Sequence, residues 1–255
     1  MSPNTHLYEA DRDPLVSRQD LKYYQKCVGS LNYLVTVSRP DLAYVTHELS
    51  RHLSAPGPAH FAALHKALRY LRGTSDLGIT YRASDPDTGF LIGYADSDWA
   101  TNPEHRKSIS GQAFTLNGGA VAWKCRRQGG VATSSTEAEF ISASKAAQTA
   151  VWLSRIARGL GMPQPPVPIF EDNRGCRIIS ETLASSSRLR HVDVSIHNVQ
   201  HHVASHHVRL LDCPSADMHA DALTKALSEP AFIRHRDVLF GVSPRTSPPL
   251  RMYRV

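Results

Sequence analysis

The first third of the chain has apolar residues at helical spacing. They recur every three or four positions with charged residues between them, which is typical of helices that bury one face. We predict a helix from Asp20 to about Val37, a second that opens at Pro40 and a third that follows Pro58. Their strongest apolar positions are Leu42, Val45, Leu49 and Leu53, then Phe61, Leu64, Leu68 and Leu71. Residues 16–84 are therefore predicted to form a small helical region after a disordered leader, 1–15.

Beyond Gly89 the pattern changes to short β-prone runs. The runs at 90–95, 111–116 and 120–123 predict three antiparallel strands, with a hairpin turn at 117–119. A long helix from about Ser135 to Arg158 follows, then a strand at 167–171, helices from Asn173 and Val192, a strand at 208–211 and a helix from Ser215. This order predicts an α/β fold with a mixed five-stranded sheet and flanking helices over 89–240. A further short strand is predicted at 77–81, and 241–255 is predicted to be a disordered basic tail.

Composition narrows the class of partner. The chain has 29 Lys and Arg residues against 23 Asp and Glu residues, a formal net charge of +6, which favours a polyanion such as nucleic acid. Its four cysteines stand apart from one another, which argues against a zinc site or a disulfide framework and indicates reduced thiols inside a cell. Because no apolar run approaches membrane-spanning length, we expect a soluble protein with no membrane partner.

Acidic residues stand at the ends of the predicted elements. Asp96 follows the first strand and Asp172 the fourth, so their carboxylates meet if these strands are neighbours in the sheet. In the long helix, at about 100° per residue, Glu139 shares a face with small residues that can pack on a sheet, whereas Glu137 falls on a solvated face. Asp221 supplies a fourth acid from the last helix. We predict a site formed by Asp96, Glu139, Asp172 and Asp221.

A cluster of this kind requires cations. Neighbouring carboxylates repel one another and raise each other's pKa, so the group persists only when positive charge neutralises it. Hard oxygen ligands favour Mg²⁺ or Mn²⁺. Two such ions roughly 3.5 to 4 Å apart can activate a water and stabilise the leaving oxygen of a phosphodiester. The alternative is four unrelated surface acids and helix caps, which their order along the chain disfavours.

Six ordered motifs carry a family resemblance. They are Gly93-Tyr94-Ala95-Asp96-Ser97-Asp98-Trp99-Ala100, Arg106-Lys107-Ser108-Ile109-Ser110-Gly111, Ser134-Ser135-Thr136-Glu137-Ala138-Glu139-Phe140, Glu171-Asp172-Asn173, Arg190-His191-Val192-Asp193-Val194 and Ala220-Asp221-Ala222-Leu223-Thr224-Lys225. Together they resemble the ribonuclease H domain that ends the Pol polyprotein of Ty1/copia-type retrotransposons. The resemblance implies the ribonuclease H fold, two Mg²⁺ or Mn²⁺ ions on Asp96, Glu139, Asp172 and Asp221, and cleavage of the RNA strand of an RNA/DNA hybrid. It also implies a cytoplasmic location in virus-like particles, or a nuclear one.

The helical region resembles the C-terminal end of the reverse transcriptase in the same polyprotein. The matching stretches are Val28-Gly29-Ser30-Leu31-Asn32-Tyr33-Leu34, Arg39-Pro40-Asp41-Leu42-Ala43-Tyr44 and Leu68-Arg69-Tyr70-Leu71-Arg72-Gly73-Thr74. The sequence has no Tyr-x-Asp-Asp polymerase motif, so we do not expect this chain to polymerise DNA, and the polymerase portion of the parent is an expected partner. Glu171 departs from the usual pattern, and strand alternation predicts that it points away from the metals.

Several other residues are candidates for supporting roles. His191 and His219 lie close to the acidic motifs, and either is a candidate for moving a proton near neutral pH. Basic residues near the hairpin are candidates for phosphate contacts, with a solvated charged face as an equal alternative; they are Arg106, Lys107, Lys124, Arg126 and Arg127.

Two other interpretations of the whole chain stay open. The first is a catalytically silent retrotransposon remnant that binds nucleic acid or a polymerase partner. The second is another enzyme of the same broad fold, a DNA-strand transferase or a junction resolvase, which cleavage of duplex DNA would reveal.

Overall fold

A computed structural model describes residues 7–13, 15–82, 89–100, 104, 106–181 and 193–242. The α-helices of these residues are α1 Arg18–Val37, α2 Ala43–Ser50, α3 Pro58–Gly73, α4 Ser135–Gly159, α5 Arg174–Glu181, α6 Asp193–Ala204, α7 Asp221–Thr224 and α8 Glu229–Leu239. The strands are β1 Ile92–Asp98, β2 Ile109–Leu116, β3 Gly119–Arg127, β4 Val167–Glu171 and β5 Val208–Asp212. Short 3-10 turns occupy Glu9–Asp11, Pro40–Leu42 and Ser215–Asp217.

Helices α1 to α3, within residues 15–82, form the helical region around an apolar core of their own. The hydroxyl of Ser17 caps α1 by accepting a hydrogen bond from the N–H of Asp20 at 3.0 Å. Pro58 begins α3, where its missing N–H would have had no helical partner. The predicted N-terminal helices are confirmed. Their core side chains are Leu7, Tyr24, Val28, Leu31, Leu42, Leu49, Leu64 and Ala67.

Part of the predicted leader is folded onto this region. Leu7 is 2% exposed and belongs to the helical core. The N–H of Asp13 donates to the carbonyl of Ala55 at 3.2 Å, and Nε2 of His60 lies 3.1 Å from the carbonyl oxygen of Tyr8. The prediction of disorder over 1–15 is therefore wrong for residues 7–13. A single short turn in this segment gives too few residues for a periodic pattern.

The five strands form one mixed sheet in the order β3-β2-β1-β4-β5. Strands β1, β2 and β3 are antiparallel neighbours, whereas β4 runs parallel to both β1 and β5. Asn117 and Gly118 connect β2 to β3 with φ values of 50° and 88°, the positive values that a tight hairpin turn requires. The predicted ribonuclease H-like sheet with flanking helices is confirmed.

Helix α4 covers one face of the sheet through a stripe of fully buried small residues. These are Ala143, Ala146, Ala147 and Ala150, which pack in the main sheet core. Small side chains let the helix backbone approach the strands closely, as the sequence predicts. On the other face, the indole N–H of Trp123 in β3 donates to the carbonyl of Val35 in α1 at 2.7 Å, which joins the sheet to the helical region.

Two predicted elements differ in the structure. Residues 77–81 are extended but form no strand of the sheet; instead the N–H of Thr80 donates to the carbonyl of Phe240 at 2.8 Å, and the N–H of Arg82 donates to that of Asn117 at 2.7 Å. The helix predicted from Ser215 is broken into the turn Ser215–Asp217, α7 and α8. The break places α7 against β2, where a Cβ on Gly111 would lie 2.5 Å from Cγ2 of Thr224.

Candidate metal centre

Strand pairing brings two of the predicted acids to one edge of the sheet. Asp96 lies in β1 opposite Gly111 of β2. Asp172 directly follows β4, which pairs with β1 in parallel register through Gly93 with Ile169 and Tyr94 with Phe170. Two steps further along both strands, this register sets Asp96 beside Asp172. The two strands are therefore neighbours in the sheet, which is the condition under which we expected their carboxylates to meet.

Helix α4 adds the third acid. Ser134 caps the helix, its hydroxyl accepting from the N–H of Glu137 at 3.1 Å, and the Ser142 hydroxyl donates to the carbonyl of Asp96 at 2.8 Å, which fixes α4 on β1. Glu139 lies between these two contacts. Carboxylate oxygens of Asp96, Glu139 and Asp172 all lie within 4.8 Å of one another, and we call these three residues the acidic triad.

Asp221 lies beside the triad but is held differently. It begins α7, and its Oδ1 lies 2.9 Å from Nζ of Lys225. The same ammonium lies 4.0 Å from Oδ2 of Asp96, and the hydroxyl of Thr224 donates to that oxygen. The structure thus brings all four predicted acids to one place, with Asp221 joined to the triad through Asp96 and Lys225.

The buried carboxylates repel one another strongly. Burial, and then the negative charges of Glu171, Asp96 and Asp172, raise the pKa of Glu139 to about 11. Burial and the charge of Asp96 raise the pKa of Asp221 to about 7 and also raise the pKa of Asp172. Among the described residues, the buried Oε2 of Glu139 has no hydrogen-bond partner. Converging carboxylates with an unpaired buried oxygen match the donor set of a hard divalent cation.

One of two neighbouring glutamates differs from the sequence expectation. Glu137 is buried rather than solvated, because its carboxylate accepts from both the N–H of Thr133 at 2.7 Å and its hydroxyl at 2.6 Å. Glu171 accepts from the N–H of Asn173 at 3.1 Å and lies outside the triad, yet its charge contributes to the raised pKa of Glu139. Its absence from metal binding stays a prediction.

The predicted basic residues are mostly exposed and do not share one face. Lys124 and Arg126 alternate with half-buried positions on β3, so they project from the same side of this edge strand, whereas Arg127 projects from the other. The ammonium of Lys107 donates to the carbonyl of Gly129 at 2.7 Å. Arg106 is exposed, with a φ of 53°.

Of the two candidate histidines, the structure describes only His219. His219 is fully buried, its Nδ1 lies 3.1 Å from Nδ1 of His235, and its ring lies 4.8 Å from that of Tyr94. These contacts place it in the core behind the acids. His191 lies outside the described residues, as does most of the motif around it.

Known proteins share this region of sequence. The chain is 35% identical over 209 residues to the retrovirus-related Pol polyprotein from transposon TNT 1-94 of Nicotiana tabacum. This alignment covers 82% of this chain and 16% of that protein. It is 34% identical over 233 residues to the Pol polyprotein from transposon RE2 of Arabidopsis thaliana, which covers 91% of this chain and 15% of that protein. Over most of its length, the chain is a homologue of copia-type retrotransposon Pol polyproteins.

Other similarities accompany this one. The Pol homologue is 46% identical over 131 residues to the secreted RxLR effector protein 161 of Plasmopara viticola, which covers 51% of this chain and 91% of that protein. Among solved structures, ribonuclease H1 of Halobacterium salinarum aligns with a TM-score of 0.39 at 17% identity, over 53% of this chain and 95% of that chain. No family model matches the chain.

Sequence analysis of the Pol homologue missed three polar residues that hold the acids. Ser142, Thr224 and Lys225 contact Asp96 or Asp221, and only the motif 220–225 contains a signal, since Lys225 follows Asp221 at helix-neighbour spacing. In the described part of the Pol homologue, no helix combines the length and apolarity needed to cross a membrane.

Proposed function

We propose that this Pol homologue is a metal-dependent ribonuclease H that hydrolyses the RNA strand of an RNA/DNA hybrid. The observation that carries the proposal is the convergence of the triad oxygens within 4.8 Å at the ends of β1 and β4, with Asp221 beside them. Buried carboxyl groups that face one another are retained by taking up a proton or by binding a cation, and oxygen ligands of this kind suit a hard divalent cation. The homology to Pol polyproteins supports the same conclusion.

The residues of the chain prepare this centre in specific ways. Ser142 and Thr224 fix Asp96 through its carbonyl and its carboxylate, so the acid shared by the triad and Asp221 is held in one orientation. Glu139 and Asp172 close the triad from α4 and from the end of β4. When bound, two Mg²⁺ or Mn²⁺ ions would lower the pKa of an attacking water and stabilise the leaving oxygen.

The hybrid is the proposed substrate, and its phosphates are the proposed partners of the basic residues. Lys124, Arg126 and Arg127 on the edge strand, with Arg106 and Lys107 just before the strand that pairs with it, would position the backbone without reading bases. The polymerase portion of a parent polyprotein is a proposed second partner, with residues 16–84 and 89–240 as the two parts of the chain. We also propose a cytoplasmic location in virus-like particles.

Cleavage of an end-labelled RNA/DNA hybrid by the purified chain tests the proposal. With Mg²⁺ or Mn²⁺, we expect cutting of the RNA strand, and we expect Asp172→Asn to lower the rate by roughly three orders of magnitude or more because a triad oxygen is lost. Glu229→Gln, an exposed acid that begins α8, is the matched control and should cut normally.

The substrate arms of this assay separate the alternatives. Cutting of duplex DNA in preference to the hybrid would favour a strand transferase or a resolvase. A folded chain that binds the hybrid but cuts no strand with either metal would sink the nuclease proposal and favour the silent remnant.

A further inference from the structure

Lys225 stands inside the acidic cluster rather than on its rim. It directly follows α7, four residues after Asp221, and its ammonium lies 2.9 Å from Oδ1 of Asp221 and 4.0 Å from Oδ2 of Asp96. The side chain is 38% exposed, so its stem lies along the surface while its charge reaches two buried carboxylates. A cation of the chain itself already occupies the space between Asp96 and Asp221.

This arrangement divides the cluster into two unequal halves that share Asp96. On one side, the triad has converging oxygens, an unpaired Oε2 on Glu139 and no ion pair among those the structure describes apart from the contact of Asp96 with Lys225. On the other side, Asp96 and Asp221 are neutralised by the ammonium and by the hydroxyl of Thr224. A divalent ion meets free ligands in the first half and an occupied pair in the second.

We propose that Lys225 is a built-in counter-ion of the second metal position: its ammonium neutralises Asp96 and Asp221 in the metal-free chain, and a divalent cation must displace it to bind Asp221. This inference rests on the proposed metal-dependent function. The ammonium lies 2.9 Å from Oδ1 of Asp221, so a metal ion that binds this oxygen takes the place of the ammonium. The chain therefore binds its first ion at the triad and its second ion more weakly.

The chemistry of lysine fits an exchangeable counter-ion. Its ammonium is a compact point charge on a flexible four-carbon stem, and partial exposure leaves the stem room to turn outwards. In the metal-free chain, the ammonium thereby offsets part of the carboxylate repulsion, because it lies against both Asp96 and Asp221. Lys225 is a positioning residue in this scheme, since it acts on the carboxylates and touches no substrate.

Metal binding and thermal unfolding of the full chain test the proposal. Protein stripped with EDTA is titrated with Mn²⁺ in a calorimeter at pH 8, and its melting temperature is measured with EDTA and with Mn²⁺. We expect Lys225→Met to melt roughly 2–4 °C lower in EDTA, to gain more from Mn²⁺ than the unsubstituted chain, and to bind its weaker Mn²⁺ about tenfold more tightly. Lys225→Arg should retain most of the stability in EDTA.

Two further variants keep the test decisive. Lys22→Met removes an exposed lysine of α1 and should match the unsubstituted chain in both measurements. If Lys225→Met does not fold in EDTA, the double variant Asp221→Asn/Lys225→Met removes the pair together and should recover the metal-free melting temperature.

Two results would contradict the counter-ion role of Lys225, and a third would contradict the proposed function. A Lys225→Met chain with unchanged Mn²⁺ affinities and an unchanged melting temperature overturns the counter-ion role. So does weaker hybrid binding with unaltered Mn²⁺ binding, which would make Lys225 a phosphate contact. Absence of any Mn²⁺ binding by the unsubstituted chain would instead overturn the proposed function, and this inference with it.

Discussion

Two clusters of buried charged side chains in the described part of the chain are built in opposite ways. In the helical region, Arg39 and Asp41 are 4% and 3% exposed and form a pair in which both carboxylate oxygens are bonded, at 2.9 and 2.7 Å. Tyr70 donates to the same carboxylate at 2.7 Å, and Thr74 accepts from the guanidinium through its hydroxyl at 2.7 Å. In the candidate metal centre, carboxylates face one another, and the ammonium of Lys225 contacts Asp96 and Asp221 but not Glu139.

The number of satisfied hydrogen-bonding positions separates a cluster that stabilises the fold from one that can bind a ligand. A buried charge with every lone pair satisfied has no remaining capacity for a ligand, so the Arg39 pair serves the fold. A buried carboxylate such as Glu139, with raised pKa and an oxygen that no described residue bonds, retains capacity for a cation. Saturation distinguishes the two clusters better than burial, since Asp96 and Glu139 are as inaccessible as Arg39 and Asp41.

The largest effect is expected from breaking the saturated cluster. Asp41→Ala leaves the guanidinium of Arg39 buried without its partner, so we expect the free energy of unfolding to fall by about 3–5 kcal/mol. Chemical denaturation measures this loss, and Mg²⁺ or Mn²⁺ should not restore it because the pair is not a metal ligand. A smaller loss for Arg39→Met/Asp41→Ala than for Asp41→Ala would verify that the unpaired charge is the cause, and a metal-dependent recovery would contradict the comparison.

A smaller change of opposite sign is expected in the metal centre. Glu139→Gln removes a carboxylate that its neighbours oppose, so the metal-free chain should gain about 1–3 kcal/mol of unfolding free energy at pH 8. The same substitution removes a triad oxygen and should abolish most of the stabilisation that Mn²⁺ gives the unsubstituted chain. Glu137→Gln is the matched control, since Glu137 caps α4 and lies outside the triad; a gain there of equal size would count against like-charge repulsion.

The next effect is spread over several pH units and comes from the candidate metal centre. The pKa of Asp221 is raised to about 7 in the folded chain from about 3.9 in unfolded chains, so its favourable contribution is complete below about pH 4 and is lost as the pH rises through 7. Between these values, metal-free protein should lose up to about 1.4 kcal/mol per pH unit relative to Asp221→Asn. Denaturation at several pH values in EDTA measures the difference.

A buried histidine of the helical region provides the contrasting slope. The pKa of His52 is lowered by burial, and then by the positive charges of His60 and Arg51, to about 3. Its contribution is therefore present above about pH 6.5 and is lost as the pH falls towards 3. His52→Leu should reduce the acid-side loss and leave the Asp221 slope intact. Equal slopes for the Asp221→Asn and unsubstituted chains would show that the metal centre does not set the pH response.

Residues of the site differ in how far the sequence could locate them. Asp96, Glu139 and Asp172 follow from strand ends and a helical wheel, because parallel pairing and helix periodicity place side chains by rules local to each element. Lys225 and Thr224 could not be placed, because their roles depend on how closely α7 approaches β2 at Gly111. Glu137 was assigned to solvent wrongly, since a wheel does not show that the carboxylate returns to Thr133.

The fold shows the same division between local pattern and tertiary contact. The succession of strands along the sequence and the alanine stripe of α4 followed from periodicity. Leu7 and residues 77–81 did not, because a short segment without regular repetition is positioned by what it meets. The break between α7 and α8 also left no periodic signal, although it sets the position of Asp221.

The extended segment between the two regions has a consequence for how the chain is made. Thr80 is bonded to Phe240, and Gly241 adopts a φ of +68° with no room for a side chain, since a Cβ would lie 2.3 Å from the carbonyl oxygen of Thr80. In a nascent chain, Thr80 cannot contact Phe240 and Gly241 until α8 has left the ribosome, long after the helices and hairpin have formed. Contacts so distant in sequence form late. In a product interrupted before α8, the extended segment around Thr80 would therefore be open to proteases.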